Sequence, residues 1–267
     1  MFSHTHYKIG DQRKSNVLVT CDHGLLIVNR FDNDCSVGRF ILDHGNNNTI
    51  EADFTIQALE SNESPIVFDI GSNIGTYAYW LAKRYPKGKI YCFEPQRIIF
   101  QMLCGNMAIN NLFNVHAFNL ALSDTCEMIE THEVNYGAPG CFSVYSLDPS
   151  IENKFETTEN KCMIQCMTID SFVEMHCIEK IDFMKIDAEG FDLKILNGAK
   201  KTIEKLEPDL FVEYLNLGSS GDYKTRNEGQ TILNKQLHEM GYTTFVVGHD
   251  MYATKKRKDF YDRPSQV

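Results

Sequence analysis

The sequence predicts an α/β fold: a doubly wound, mostly parallel sheet with helices on both faces. Three observations predict it. From Pro65 onward, short apolar runs alternate with helix-length segments, the grammar of parallel strands joined by crossover helices. The first run, Ile66-Val-Phe-Asp-Ile70, ends in glycine, as a strand buried on both faces does. The chain is long enough, at 267 residues and 43% hydrophobic, for one large core plus a small appendage.

In chain order, residues 1–50 read as an N-terminal β-hairpin extension. Its strands are Gly24-Leu-Leu-Ile-Val-Asn29 and Gly38-Arg-Phe-Ile-Leu-Asp43, with turn residues Asp32-Asn-Asp34 between them. The main domain is residues 51–267. It opens with a helix over 51–60, then the strand 66–70, a helix over 76–84, a strand over 89–93, a helix over 96–110 and a strand over 115–119. Residues 123–178 break the rhythm and read as an insertion of extra strands, at 127–130 and 161–167, with a short helix over 169–176. It is either a substrate flap or a structural one. The alternation resumes with a strand over 181–186, a helix over 191–206, a strand over 210–214, a helix over 230–240 and strands over 241–247 and 251–254.

Charge and cysteine usage exclude several classes. A net charge of −10 argues against a protein built to hold nucleic acid. The dense basic run, Lys255-Lys-Arg-Lys258, reads as a solvated tail. Nine cysteines, an odd number, contain no Cys-x-x-Cys pair. Cys162 and Cys166 share a strand face at a spacing too long to pair. Neither a disulfide framework nor a zinc site is expected, and nine thiols suit a reducing compartment. Met1 to Gly10 is polar, and no apolar run has the length of a membrane span. A cytoplasmic protein is expected.

The chemistry should sit beyond the carboxyl ends of the strands, where the strand order reverses. The first strand leads into Phe68-Asp-Ile-Gly-Ser-Asn-Ile-Gly75. Gly71 and Gly75 let the backbone turn tightly and approach a ligand, and the helix beyond presents free N–H groups. The run is not Gly-x-Gly-x-x-Gly and no Walker lysine follows, so neither a dinucleotide nor a triphosphate is the natural guest. A small zwitterion fits better: backbone amides for its carboxylate, Asp69 or a loop carbonyl for its amino group. The second strand ends in Phe93-Glu-Pro95, where Glu94 can accept both hydroxyls of a ribose. Asn119-Leu-Ala-Leu-Ser-Asp124 offers small and apolar groups to flank an adenine. A nucleoside with an amino-acid tail is S-adenosylmethionine. The cofactor-binding set is Asp69, Gly71, Asn73, Gly75, Glu94, Pro95, Ala121 and Leu122.

With Thr168-Ile-Asp170, Lys185-Ile-Asp-Ala-Glu-Gly190 and Leu196-Asn-Gly-Ala199, these runs together resemble the FkbM family of S-adenosylmethionine-dependent methyltransferases, over residues 51–247. The Lys-Ile-Asp-x-Glu-Gly segment with the following Leu-x-Gly-Ala is the specific part. The resemblance implies a seven-stranded Rossmann-like sheet and O-methylation of a sugar or natural-product hydroxyl. Asp192 stands where the family commonly has glutamate, which shortens a partner for a cation.

Lys185, Asp187 and Glu189 alternate onto one face of the fourth strand. Asp187 is the first choice for a substrate-facing carboxylate and Glu189 the second. Two other readings stay open: an oxygen-ligand site for Mg²⁺ from Asp187, Glu189 and Glu213, or a structural network in which Lys185 neutralises buried carboxylates. His132, Tyr136 and a lid at Gly218-Ser-Ser-Gly221 are weaker candidates, and Asn106 and Asn111 read as caps or turn formers. The competing functions are an NAD-dependent oxidoreductase, which the glycine spacing disfavours, and a catalytically silent binding module, which the intact loop and Glu94 disfavour.

Overall fold

The computed structural model describes residues 8–9, 16–22, 24–29, 37–45, 50–134, 157–188, 190–214, 223–248 and 250–256. A short antiparallel sheet comes first, from β1 (Lys8–Ile9), β2 (Asn16–Cys21) and β3 (Gly24–Asn29), in that order. The hairpin is therefore β2–β3. The run expected as its second strand is instead helix α1 (Val37–His44). Gly38, Ile41 and Gly45 are buried and Leu42 is half-buried, a helical spacing, and Arg39 pairs with Asp43 one turn on at 2.7 Å.

The main chain then runs α2 (Ile50–Ala58), β4 (Ile66–Ile70), α3 (Thr76–Arg84), β5 (Lys89–Phe93), α4 (Arg97–Ile109) and β6 (Val115–Phe118). β7 (Ala121–Leu122) follows, and then the insertion's β8 (Glu127–Val134) and β9 (Thr157–Met167). Next come α5 (Ile169–Met175), β10 (Phe183–Ile186), α6 (Asp192–Asn197), α7 (Lys200–Leu206), β11 (Asp209–Glu213), α8 (Tyr223–Glu239), β12 (Thr243–Val247) and β13 (Asp250–Thr254).

The central seven-stranded sheet has the order β12-β13-β11-β10-β4-β5-β6, and only β13 runs against the rest. From β4 the chain steps outward to β5 and β6, then returns to lay β10 on the other side of β4. The order therefore reverses between β4 and β10, the crevice where such sheets bind ligands. Strand residues alternate between two cores. Phe68, Ile70, Phe93, Met184, Ile186 and Val212 face α5, α6 and α8. Val67, Ile90, Cys92, Phe183, Phe211 and Tyr252 face α2, α3 and α4. Phe172 of α5 is 1% exposed and stands edge-on to Phe93 and Phe118 at 4.8 and 4.9 Å. Burial of one such ring is worth about 1.5–3 kcal/mol.

The helix expected over 191–206 is broken into α6 and α7. At the break a Cβ on Gly198 would lie 2.0 Å from the Ser123 carbonyl oxygen. Asp170 holds the restart: its Oδ1 accepts from the Thr202 N–H and hydroxyl at 2.8 and 2.7 Å, and its Oδ2 from the Lys201 N–H at 3.2 Å. With β7 just before it, the insertion forms a second three-stranded sheet, order β7-β9-β8, with β9 pairing β7 in parallel and β8 in antiparallel fashion. α8 begins at Tyr223, seven residues before the expected start.

Candidate functional site

At the switch point the loop after β4 is held in a conformation that favours glycine. Gly71 and Gly75 have φ of +79° and +89°, and Asn73 between them has φ +50°. A Cβ on Gly71 would lie 1.8 Å from the Asp187 carbonyl oxygen, so the ends of β4 and β10 touch there backbone to backbone. A Cβ on Gly75 would strike Leu103 and Met107 of α4. The Gly71 and Ser72 N–H groups both donate to the Phe93 carbonyl, at 3.0 and 3.1 Å, and lock the loop to β5.

Glu94, at the end of β5, is 7% exposed. Its Oε2 accepts from the Asn73 N–H at 3.0 Å and its Oε1 from the Gln96 N–H at 2.8 Å. Burial pushes its pKa up to about 7, against the pull of those two donors. Asn119 Nδ2 donates to the carbonyls of Glu94 and Pro95, both at 2.9 Å, and so ties the ends of β5 and β6 together. Beside them lies a cleft of about 250 Å³, lined by half-buried Pro95, by Gln96 and Asn119, and by Met163 to Gln165 of β9. Gln96 is 5% exposed, and its Nε2 is buried with no hydrogen-bond partner.

On the other side of Gly71 the sheet carries a charged row. Asp69 is fully buried, and its Oδ1 has no hydrogen-bond partner. Burial raises its pKa to about 6, with Lys185 on the adjacent strand opposing. Lys185 is 7% exposed, its Nζ 2.8 Å from Asp187 Oδ2 and 5.6 Å from the centroid of the Tyr77 ring. Burial works against its charge, but Asp187, Asp69 and Glu51 outweigh it and hold its pKa above the usual lysine value. Asp250 starts β13 opposite Glu213, the last residue of β11. Burial, with Glu51 and Asp187 nearby, raises Asp250 to about 7.

A glycine-turned loop, an acid bridging it to the next strand, and a carboxylate–lysine pair across the switch point lie at one end of one sheet. The Methyltransferase FkbM domain matches residues 69–243, more than half of the chain. The chain belongs to the FkbM methyltransferase family. It is an S-adenosylmethionine-dependent methyltransferase. It is similar to methyltransferase sdnD of Sordaria araneosa, with 26% identity over 185 residues, 60% of this chain and 69% of that one. It is 25% identical over 167 residues to the 2-O-methyltransferase NoeI of Sinorhizobium fredii, covering 60% and 67% of the two chains. The crystal structure of methyltransferase FkbM from Methylobacillus flagellatus shares the fold, with a TM-score of 0.50 and 16% identity, over 72% of this chain and 44% of that one.

Not every expected residue of this FkbM methyltransferase lies open to the site. Gly71, Asn73 and Pro95 are half-buried on the loop and strand end, whereas Asp69, Gly75 and Glu94 are buried. Ala121 and Leu122 form β7 and are 5% and 3% exposed, packed respectively on Ile164 and Cys166 of β9 and into the main core. Exposed Asn119 is the part of that motif that reaches the cleft. Asp192 caps the turn before it: its Oδ1 accepts from the Ala188 N–H and its Oδ2 from the Gly190 N–H, both at 3.0 Å. Burial raises it to about 7. Glu189, the His132 side chain, Tyr136 and residues 218–221 lie outside the described residues. Among the described residues no three histidine, cysteine or carboxylate side chains are grouped to hold a metal ion.

The sequence reading did not single out Gln96, Glu51 or Asp250. Glu51 comes from the first turn of α2, and Asp250 from the one reversed strand, whose start is level with the end of β11. Packing of α2 brings Glu51, and the strand order brings Asp250, to the Lys185–Asp187 pair. The usable signal was a pair of acids next to apolar runs, which is too common to single out a site.

Proposed function

We propose that this FkbM methyltransferase transfers the methyl group of S-adenosylmethionine to a hydroxyl of a saccharide or other small molecule, with Asp187 as the acceptor-facing carboxylate. One observation carries this. Asp69, Lys185 and Asp192 are sealed, whereas the Asp187 side chain is 38% exposed at the crevice where Gly71 meets β10. The "2-O" in the name of the NoeI relative supports oxygen as the acceptor atom.

The residues present fit the cofactor. At positive φ, Gly71 and Gly75 turn the loop tightly against β10 and α4, and Gln96 Nε2, beside the cleft at Pro95, is a buried donor with no partner. Asn73 and the loop amides would hold the amino-acid tail, Glu94 the ribose, and Pro95, Gln96 and Asn119 the base. When bound, the cofactor supplies an electrophilic methyl group on a sulfonium. The chain's own work is alignment and proton removal. Lys185 Nζ fixes one oxygen of Asp187 and leaves the other to accept the acceptor's proton as the new C–O bond forms.

The test is a panel of neutral saccharides, small alcohols and amines incubated with methyl-labelled cofactor. Label should enter hydroxyl acceptors, and Asp187→Asn should lower kcat by about 10²–10⁴-fold while cofactor affinity stays unchanged. Methylation of amines alone, or full turnover by the variant, would overturn the proposal.

A further inference from the structure

We infer that Asn106 is a positioning residue for the cofactor loop, and that through it the N-terminal hairpin is a working part of the cofactor site. The hairpin lies outside the span that defines the family, residues 69–243. The inference rests on the glycine loop being the cofactor loop.

β3 is the edge strand of its sheet, and its free edge meets α4. Two asparagines one turn apart, Asn106 in α4 and Asn110 just past its last residue, receive it. Asn110 Oδ1 accepts from the Leu25 N–H at 3.1 Å, and its Nδ2 donates to the Leu25 carbonyl at 2.6 Å. Asn106 Oδ1 accepts from the Ile27 N–H at 2.5 Å, and its Nδ2 donates to the Ile27 carbonyl at 3.2 Å. Each carboxamide takes both backbone groups of one residue, as a neighbouring strand would. The spacing allows it: four residues of helix rise about 6 Å, and two residues of strand about 6.8 Å. Glycines clear the approach. A Cβ on Gly105 would lie 2.8 Å from Ile27 Cδ1, and one on Gly24, at φ +95°, would lie 2.5 Å from Asn110 Oδ1.

The two asparagines differ in one respect. Asn110's remaining bond goes to its own helix, at the Asn106 carbonyl. Asn106, which is completely buried, donates instead to the Ile74 carbonyl at 2.9 Å. Ile74 lies inside the glycine loop, next to Asn73, whose N–H reaches Glu94. The Ile74 side chain packs in one cluster with Val17, Val19, Leu26 and Val28 of the hairpin and Met102 of α4. One amide thus joins the hairpin edge, α4 and the loop. A hairpin docked for stability alone would need only the Asn110 pattern. Because coupling is reciprocal, a ligand that orders the loop also secures the hairpin.

The test titrates S-adenosylhomocysteine into the wild type, Asn106→Leu and Asn110→Leu by calorimetry. Amide exchange at Ile27 and steady-state kinetics are read in parallel. Both variants lose hairpin bonds and should melt earlier. Only Asn106→Leu should bind about tenfold or more weakly, with a raised KM for the methyl donor and kcat within about twofold. Ligand should slow Ile27 exchange in the wild type and in Asn110→Leu, but not in Asn106→Leu. If Asn106→Leu does not fold, Asn106→Asp replaces it, keeping the acceptor for the Ile27 N–H and losing the donor to the Ile27 and Ile74 carbonyls. Wild-type affinity in the Asn106 variant, or an equal loss in Asn110→Leu, would overturn the inference. No binding by the wild type would instead overturn the cofactor reading beneath it.

Discussion

Glu94 carries two duties that a substitution separates. Its carboxylate pins Asn73 and Gln96 through their N–H groups, and in the proposed complex it also meets the ribose. A hydrogen bond to such a carboxyl is worth about 0.5–1.5 kcal/mol when it is neutral and about 1.5–3 kcal/mol when it is charged. Glu94→Ala is therefore expected to weaken S-adenosylhomocysteine binding by about tenfold to a hundredfold, measured by calorimetry. Glu94→Gln keeps an acceptor and should lose less. Equal affinity in Glu94→Ala and wild type would show that the acid serves the loop alone. Asp192 makes the contrast: both of its oxygens are used on the Ala188 and Gly190 N–H groups within its own turn. Its substitution should lower stability before it touches acceptor preference.

At the scale of elements, Gly198 and Gly71 show how a close backbone approach decides both fold and site. Gly198 has φ −78°, which any residue adopts, so its cost is steric: a Cβ would lie 2.0 Å from the Ser123 carbonyl. Gly198→Ala is expected to destabilise the protein by about 1–3 kcal/mol in denaturant unfolding, with cofactor affinity unchanged. Gly71→Ala adds positive-φ strain to a 1.8 Å clash at the switch point, and should cost both stability and affinity. Gly198 is also where sequence reading stopped short. The apolar spacing of residues 191–206 continues through the break, and only the Ser123 contact and the Asp170 cap explain two helices. The buried parallel strands were readable because each is apolar on both faces and ends at a glycine or an acid; β4 and β5 match their expected bounds residue for residue. The run 38–43 was not readable. Six residues of mixed apolar character fit either period, and packing of Ile41 and Leu42 with the hairpin settles it as helix. The same limit governs the site. Gly71, Glu94 and Asp187 follow from strand ends, whereas Asp250 joins them only because β13 is reversed.

Across the whole molecule, the carboxyl end of the sheet stores carboxyl groups that resist ionisation. Burial raises Asp69 to about 6 and Glu94, Asp192 and Asp250 to about 7. The sign follows from proton counts. Between the ordinary carboxylate pKa and about 7, the unfolded chain has released these protons while the native state still binds them. Stability therefore falls as pH rises through that window, and these groups add no further slope above it. For Glu94, moved from 4.5 to about 7, the share is on the order of 3 kcal/mol. The ligand-free protein is accordingly expected to unfold at lower denaturant concentration at about pH 8 than at about pH 5.5. Glu94→Gln cannot ionise, so its profile should be flatter across the same range. Denaturant titrations of both proteins at several pH values measure this directly. A wild-type profile that is level or rising over the window would show that the sheet end is hydrated enough to ionise freely, and that burial does not set the charge of this site.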